Sequence, residues 1–235
     1  MPLDLEEQEQ LENLKSFWVN YGRWLAIGIV IALIGYGAYW FYQKHQESVA
    51  LDAAQQYDEL VAAATKSDFP LVLKKAQNLE QNFANTAYSA MAGLVAANLA
   101  YSIGDFEQAS TQLQWVEDKA KSPSFQSLAR LRLIALLIDK KDESSITKAT
   151  ELLKKKVAPG YEALLHERQG DLWLVQSKNE EAKKEYLQAW DILDAQKAKQ
   201  SGLKELDAMT KEMEKRNPGE NQRLLKVKID SLGGF

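Results

Sequence analysis

The chain has 235 residues, 46% hydrophobic and 26% charged, with a formal net charge of −4. It contains no cysteine, which excludes a disulfide framework and any thiolate metal or redox site. The acidic balance argues against nucleic acid as a partner, because such proteins carry a basic stripe that neutralises phosphates.

The first predicted element runs from Leu5 to Asn20. Leu11, Leu14, Trp18 and Val19 recur there at helical spacing, with Leu3 and Phe17 nearby and a polar, acidic remainder. Such an amphipathic helix suits two roles, lying on a lipid surface or docking against a membrane partner.

The next stretch, Trp24 to Tyr42, has no charge and holds about 19 residues, close to the ~20 needed to cross a bilayer core as a helix. Arg23 and Lys44 bracket it. Trp24 stands at one end and Tyr39, Trp40, Phe41 and Tyr42 at the other, where amphipathic rings suit the two headgroup layers. A soluble core helix would carry a polar face, and this one does not. A cleaved signal peptide would begin basic and end in small residues. Here the start carries Asp4, Glu6, Glu7, Glu9 and Glu12, and the run ends in bulky rings, so the segment reads as an uncleaved anchor. Lys15 and Arg23 precede the span and Lys44 follows it, a bias of one cation toward a cytoplasmic N-terminus. The resulting division is a cytoplasmic tail over 1–23, a transmembrane helix over 24–42 and a domain across the membrane over 43–235. Gly28, Ala32 and Gly35 share one side of the span and form a candidate docking face, since small residues let another helix approach closely.

Beyond the span the pattern turns to long helices. Leu51, Ala54, Tyr57, Leu60, Val61 and Ala64 make one amphipathic face. Ser67 to Pro70 punctuates it, with Pro70 suited to the start of the next helix. Leu71, Leu73, Ala76, Leu79 and Phe83 continue the helical spacing up to a break at Asn82–Thr86. Nothing alternates as a strand does, so the fold class is all-α.

Repeats specify the architecture. Gly170 is followed by Ala182, Tyr186 and Ala189, at offsets of 12, 16 and 19, the small–small–aromatic–small frame of a tetratricopeptide repeat. The frame recurs as Ala97, Ala109, Leu113 and Val116, and Gly104-Asp105-Phe106 supplies the turn between the two helices. The small residues mark helix crossings that a larger side chain would force apart. A third unit pairs Leu128–Ile138 with Ser144–Lys156. Ala149 takes its small position, and a longer turn over Asp139–Ser145 absorbs the extra spacing. The register of its first helix is ambiguous. The Leu51–Phe83 pair reads as a degenerate fourth unit, and Lys154, Lys155 and Lys156 as a solvated helix end. The expected fold is a single N-terminal transmembrane helix followed by a tetratricopeptide-repeat-like α-solenoid.

After Trp190 the pattern loosens. Ala195 to Arg216 carries Leu203, Leu206, Met209 and Met213 at helical spacing, and Asn217-Pro218-Gly219 ends it. Asn221 to Leu232 reads as a helix capping the solenoid end, and Gly233-Gly234-Phe235 as a frayed tail.

Chemistry is sparse. His45 and His166 stand far apart, and neither has a ligand-like partner four residues on. The chain has no phosphate-binding loop, dinucleotide glycine pattern, nucleophile elbow or zinc-type HExxH. It reads as a non-enzymatic interaction module without cofactor, metal or small-molecule substrate. In stacked repeats the first helix of each pair lines the groove. That places Asn98 and Tyr101 in one unit, and Glu167 and Asp171 in another, as partner-binding candidates. Asn can hydrogen-bond an extended backbone, Tyr offers an apolar body with a polar tip, and the carboxylates favour basic segments.

The order of parts resembles the YfgM-like proteins of Gram-negative bacterial inner membranes. The matching features are the acidic tail, Phe17-Trp18-Val19-Asn20-Tyr21-Gly22 before the span, one uncleaved span, degenerate repeats and the closing segment Leu224 to Leu232. Relative to that pattern, Ala195 to Asn217 looks like an insertion. The resemblance implies a periplasmic repeat domain and accessory association with the membrane subunits of the Sec translocon. It also implies work beside a membrane-anchored prolyl-isomerase-like chaperone. The function expected on this basis is a tethered chaperone-network protein whose groove receives unfolded secretory proteins near the translocon exit. The alternative is an adaptor in envelope stress signalling or membrane-complex assembly that binds one folded partner.

Overall fold

The computed structural model describes residues 5–200 and 222–235, and the regular elements among them are helical. In chain order they are α1 (Leu5–Thr65), α2 (Phe69–Asn82), α3 (Ala87–Ser102), α4 (Phe106–Lys119), α5 (Pro123–Lys140), α6 (Glu143–Leu153), α7 (Glu162–Val175), α8 (Asn179–Gln200) and α9 (Arg223–Ser231). The chain divides into two compact units, Met1–Asp52 and Ala53–Phe235.

The first unit is the long arm of α1. The sequence reads three helices between Leu5 and Ala64, and the structure has one, with 61 residues. No proline stands between Pro2 and Pro70 to break it. Gly22, Gly28, Gly35 and Gly37 each cost about 1 kcal/mol of helix propensity, which lowers stability without ending a helix. Side chains from Arg23 to Tyr42 are all exposed. The helix carries the one stretch, among the described residues, that is long and apolar enough to cross a membrane, and none of it is buried.

The second unit stacks helical pairs. From Ala53 onward α1 packs with α2 and α3 around Ala53, Leu60, Ala63, Val72, Ala76, Leu79, Ala92 and Ala96. That cluster makes the Leu51–Phe83 region a genuine pair. Asp68 starts α2 by accepting a hydrogen bond from the Leu71 amide at 3.2 Å, with Pro70 in the first turn. The central core fills the space between α3 and α7. The turn before α4 uses Gly104 at φ +81°, where a Cβ would be strained, and Asp105 caps the helix by accepting from the Gln108 amide at 3.0 Å. Ala97, Ala109, Ala149, Ala182, Tyr186 and Ala189 are all buried.

The third unit differs from expectation. Its extra residues do not lie in a long Asp139–Ser145 turn. α5 begins at Pro123 and runs 18 residues, and only Lys141 and Asp142 connect it to α6. Pro123 initiates the helix because its missing N–H is an orphan there. Asp142 caps α6 through the Ser145 amide and hydroxyl, at 2.9 and 2.7 Å.

A buried ion pair joins α4 to α5. Glu117 Oε1 accepts from Arg130 Nε at 3.1 Å and from Lys155 Nζ at 2.7 Å, and Arg130 Nη1 donates to the Lys156 carbonyl at 2.9 Å. The lysine run after α6 is therefore a structural clasp rather than only a solvated end. Burial pushes the Glu117 carboxyl up, but the hydrogen bonds from Lys155 and Arg130 outweigh it and hold the group below the usual carboxylate value.

The last core joins α8 to α9 through Ala182, Tyr186, Ala189, Trp190, Leu225 and Ile229. The terminus is not frayed. Gly233 and Gly234, both at positive φ, turn the chain back, and the Phe235 ring meets Trp190 edge-on at 4.9 Å between centroids. Leu203, Leu206, Met209, Met213 and the Asn217-Pro218-Gly219 stop lie outside the described residues.

Candidate functional site

The first helices of successive pairs share one face of the second unit, and two adjoining hollows open along it. One is a cavity of ≈ 240 Å³ between α3, α5 and α7, lined by Asn98, Tyr101, Arg132, Ala135, Asp139 and Arg168 over a floor that includes Ala97 and Leu113. The other, of ≈ 360 Å³, is lined by Tyr57, Met91, Leu94, Val95, Asn98 and Arg132. Asn98 and Arg132 belong to both, so the hollows form one continuous groove.

Asn98 and Tyr101 both lie exposed in this groove. They are three residues apart on α3, so they project from the same side of the helix. Tyr101 donates its hydroxyl to Asp139 Oδ2 at 3.3 Å and packs edge-on against Phe106 at 5.5 Å. Ile103 and Phe106, both exposed, extend an apolar rim at the α3–α4 turn. In the adjoining hollow, burial first and then the nearby Asp58 push the Tyr57 phenol up, so it stays neutral there.

Glu167 and Asp171 sit differently. Both are half-buried on α7 and already engaged. Lys228 of α9 donates to Glu167 Oε1 at 2.7 Å and to Asp171 Oδ1 at 2.6 Å. Arg168 pairs with the other Asp171 oxygen, and the Tyr186 hydroxyl donates to Asp171 Oδ1 at 2.9 Å. Burial, reinforced by Asp171 and Glu167, pushes the Tyr186 phenol far above its usual value, so it remains a donor. These carboxylates therefore fasten the terminal helix to the last repeat, and a basic ligand would have to displace Lys228 and Arg168.

Sequence reasoning missed the two charged residues that α5 contributes, Arg132 and Asp139. The long α5 hides them, because counting back from Ala149 with the offset of 12 does not give the register that places them. The one available signal was the pair Arg130 and Arg132 interrupting an apolar run. Arg130 answers the buried Glu117, while Arg132 is exposed in the groove.

Gly28, Ala32 and Gly35 lie on an exposed side of α1, and a Cβ at Gly28 or Gly35 would meet nothing within 4 Å. His166 Nδ1 sits 2.7 Å from Glu185 Oε2 and ties α7 to α8, whereas His45 is exposed. Among the described residues, no group of three or more His, Cys, Asp or Glu side chains could hold a metal ion.

A family model described as a tetratricopeptide repeat-like domain matches residues 15–211. A Neisseria gonorrhoeae protein named ancillary SecYEG translocon subunit is 32% identical over 191 residues, covering 80% of this chain and 90% of that protein. Proteins of the same name from Escherichia coli and Aggregatibacter actinomycetemcomitans are 26% and 24% identical, over 79% and 80% of this chain and 85% and 91% of their own lengths. No solved structure matches the chain significantly.

Proposed function

This chain belongs to the tetratricopeptide repeat-like family of ancillary SecYEG translocon subunits, and on that premise we propose that it is a membrane-anchored, non-enzymatic accessory of the Sec translocon. The span in α1 anchors it in the inner membrane with the N-terminus in the cytoplasm and the repeat unit in the periplasm. The groove along α3, α5 and α7 receives segments of newly exported, still unfolded proteins. A membrane-anchored prolyl-isomerase-like chaperone works beside it. The observation that carries this reading is the groove itself, two adjoining hollows with exposed Asn98, Tyr101 and Arg132 on one face of the stacked pairs. Tethering raises the local concentration of groove and client, so weak contacts suffice.

The test is made in native membranes. The full chain, tagged at its C-terminus, is expected to co-purify with Sec membrane subunits in mild detergent and to crosslink to translocating chains. A reporter active only after export, fused after Phe235, is expected to be active. Gly28→Leu combined with Gly35→Leu is expected to weaken Sec association while leaving insertion intact, since small residues permit close helix approach. Recovery of one folded partner with neither Sec subunits nor translocating chains would replace this reading with that of an adaptor.

A further inference from the structure

Where the two hollows meet, the groove presents a cation with no counter-charge bound to it among the described residues. Arg132 is exposed at the junction of the two hollows, and among the described residues its guanidinium has no hydrogen-bond or ion-pair partner. The other cation facing the groove, Arg168, is neutralised by Asp171 and Glu167. Asp139 lies seven residues further along α5, about 10 Å at the helical rise, with one oxygen taken by the Tyr101 hydroxyl. Asp139 keeps its negative charge in the same hollow, but among the described residues no ion pair joins it to Arg132.

We propose that Arg132 anchors an acidic side chain within an extended segment of bound polypeptide, seated so that flanking apolar residues enter the hollows on either side. This rests on the reading of the groove as a client-binding site and names the client chemistry. A guanidinium offers a planar fork of donors that matches a carboxylate. Beside it, the Asn98 amide can donate to and accept from a peptide backbone. Met91 and Val95 supply an adaptable apolar surface. The acid belongs to an internal residue rather than a chain terminus, because the groove continues past Arg132 in both directions and a chain can run through.

This reverses the preference that Glu167 and Asp171 suggest by their position in the repeat. Those carboxylates are already held by Lys228 and Arg168, and among the described residues Arg132 is the groove cation left without an ion-pair partner.

The test uses the full chain in detergent micelles and short fluorescent peptides, amidated at the C-terminus, with a central Leu-X-Phe in Gly/Ser flanks. X is Glu, Gln or Lys. A further Gln peptide carries a free C-terminal carboxylate. The Glu peptide is expected to bind about fivefold more tightly than the Gln peptide, the scale of a solvent-accessible charge pair. Arg132→Gln is expected to remove that difference with an unchanged melting temperature. Arg132→Glu is expected to transfer the preference to the Lys peptide. Equal binding of Glu and Gln peptides, or an Arg132→Gln effect that is the same on both, overturns the anchor. Tightest binding by the free-carboxylate peptide overturns the internal residue as its source. Binding without charge preference leaves the client-groove reading standing, whereas failure of every peptide to bind sinks both.

Discussion

The ring of Tyr186 occupies the space that a side chain at Gly170 would need: a Cβ built on Gly170 would lie 2.4 Å from Tyr186 Cε1. The ring is fully buried, and its hydroxyl is tied to Asp171, so it has no easy way to swing aside. Gly170→Ala is therefore expected to destabilise the repeat unit by about 1–3 kcal/mol through overpacking. Gly28→Ala, where a Cβ meets nothing within 4 Å and which lies outside the repeat unit, is the control and is expected not to lower that unit's unfolding midpoint. Denaturant unfolding of the two variants side by side makes the comparison, and equal midpoints would refute the close packing.

Glu117 is the buried acceptor for two cations, at 2% side-chain exposure. Glu117→Gln leaves Arg130 buried without its counter-charge, and a loss of about 3 kcal/mol at neutral pH is expected. The pH dependence follows from the depressed carboxyl. A group whose folded pKa lies below its unfolded value contributes stability that is present above the unfolded value and lost as pH falls through the folded one. The wild type should weaken on acidification below pH ~4.5, the ordinary carboxylate value, and Glu117→Gln should flatten that limb. A melting series across acid pH reads both effects.

Glu80 behaves in the opposite sense. Burial pushes its carboxyl up to about 7, and Oε1 has no hydrogen-bond partner among the described residues. A raised carboxyl means that the folded state holds its proton longer than the unfolded chain. Stability from this group is then present at low pH and lost as pH rises from about 4.5 through about 7. Glu80→Gln is expected to stabilise the protein above pH 7 and to have little effect at pH 4. A variant less stable than wild type at alkaline pH would contradict this.

The chain terminus is the fourth test. Phe235 meets Trp190, a ring at 1% exposure in the core joining α8 and α9. Deleting Phe235 alone is expected to lower stability by at least about 0.5–1.5 kcal/mol, the worth of an edge-to-face aromatic pair beyond its buried area. Tryptophan fluorescence and thermal unfolding of the truncated chain check it. An unchanged melting temperature would show that the contact with Trp190 adds nothing to stability.

What the sequence by itself determined is the local periodicity. The uncharged run from Trp24 to Tyr42, the small–small–aromatic–small frames at Ala97 and Gly170, and the polar caps at Asp68 and Asp105 all encode their structure within one or two helices. They are legible because helix faces and caps repeat at fixed residue spacings. Asn98 and Tyr101 were legible for the same reason, as their groove position follows from a frame set a few residues away. Three things were decided only by the tertiary structure. The length of α5 set which of its charges face the groove, because a connection of two residues leaves the register to packing. The most distant partners of Glu117 and Asp171 lie 38 and 57 residues away at Lys155 and Lys228, and no local spacing reveals them. Because of that engagement Glu167 and Asp171, which the repeat frame places as ligand-facing carboxylates, are already paired, and among the described residues the groove cation without an ion pair is Arg132. Charge in a groove depends on what remains after long-range neighbours have paired, and pairing across a stack is settled by which helices meet in space.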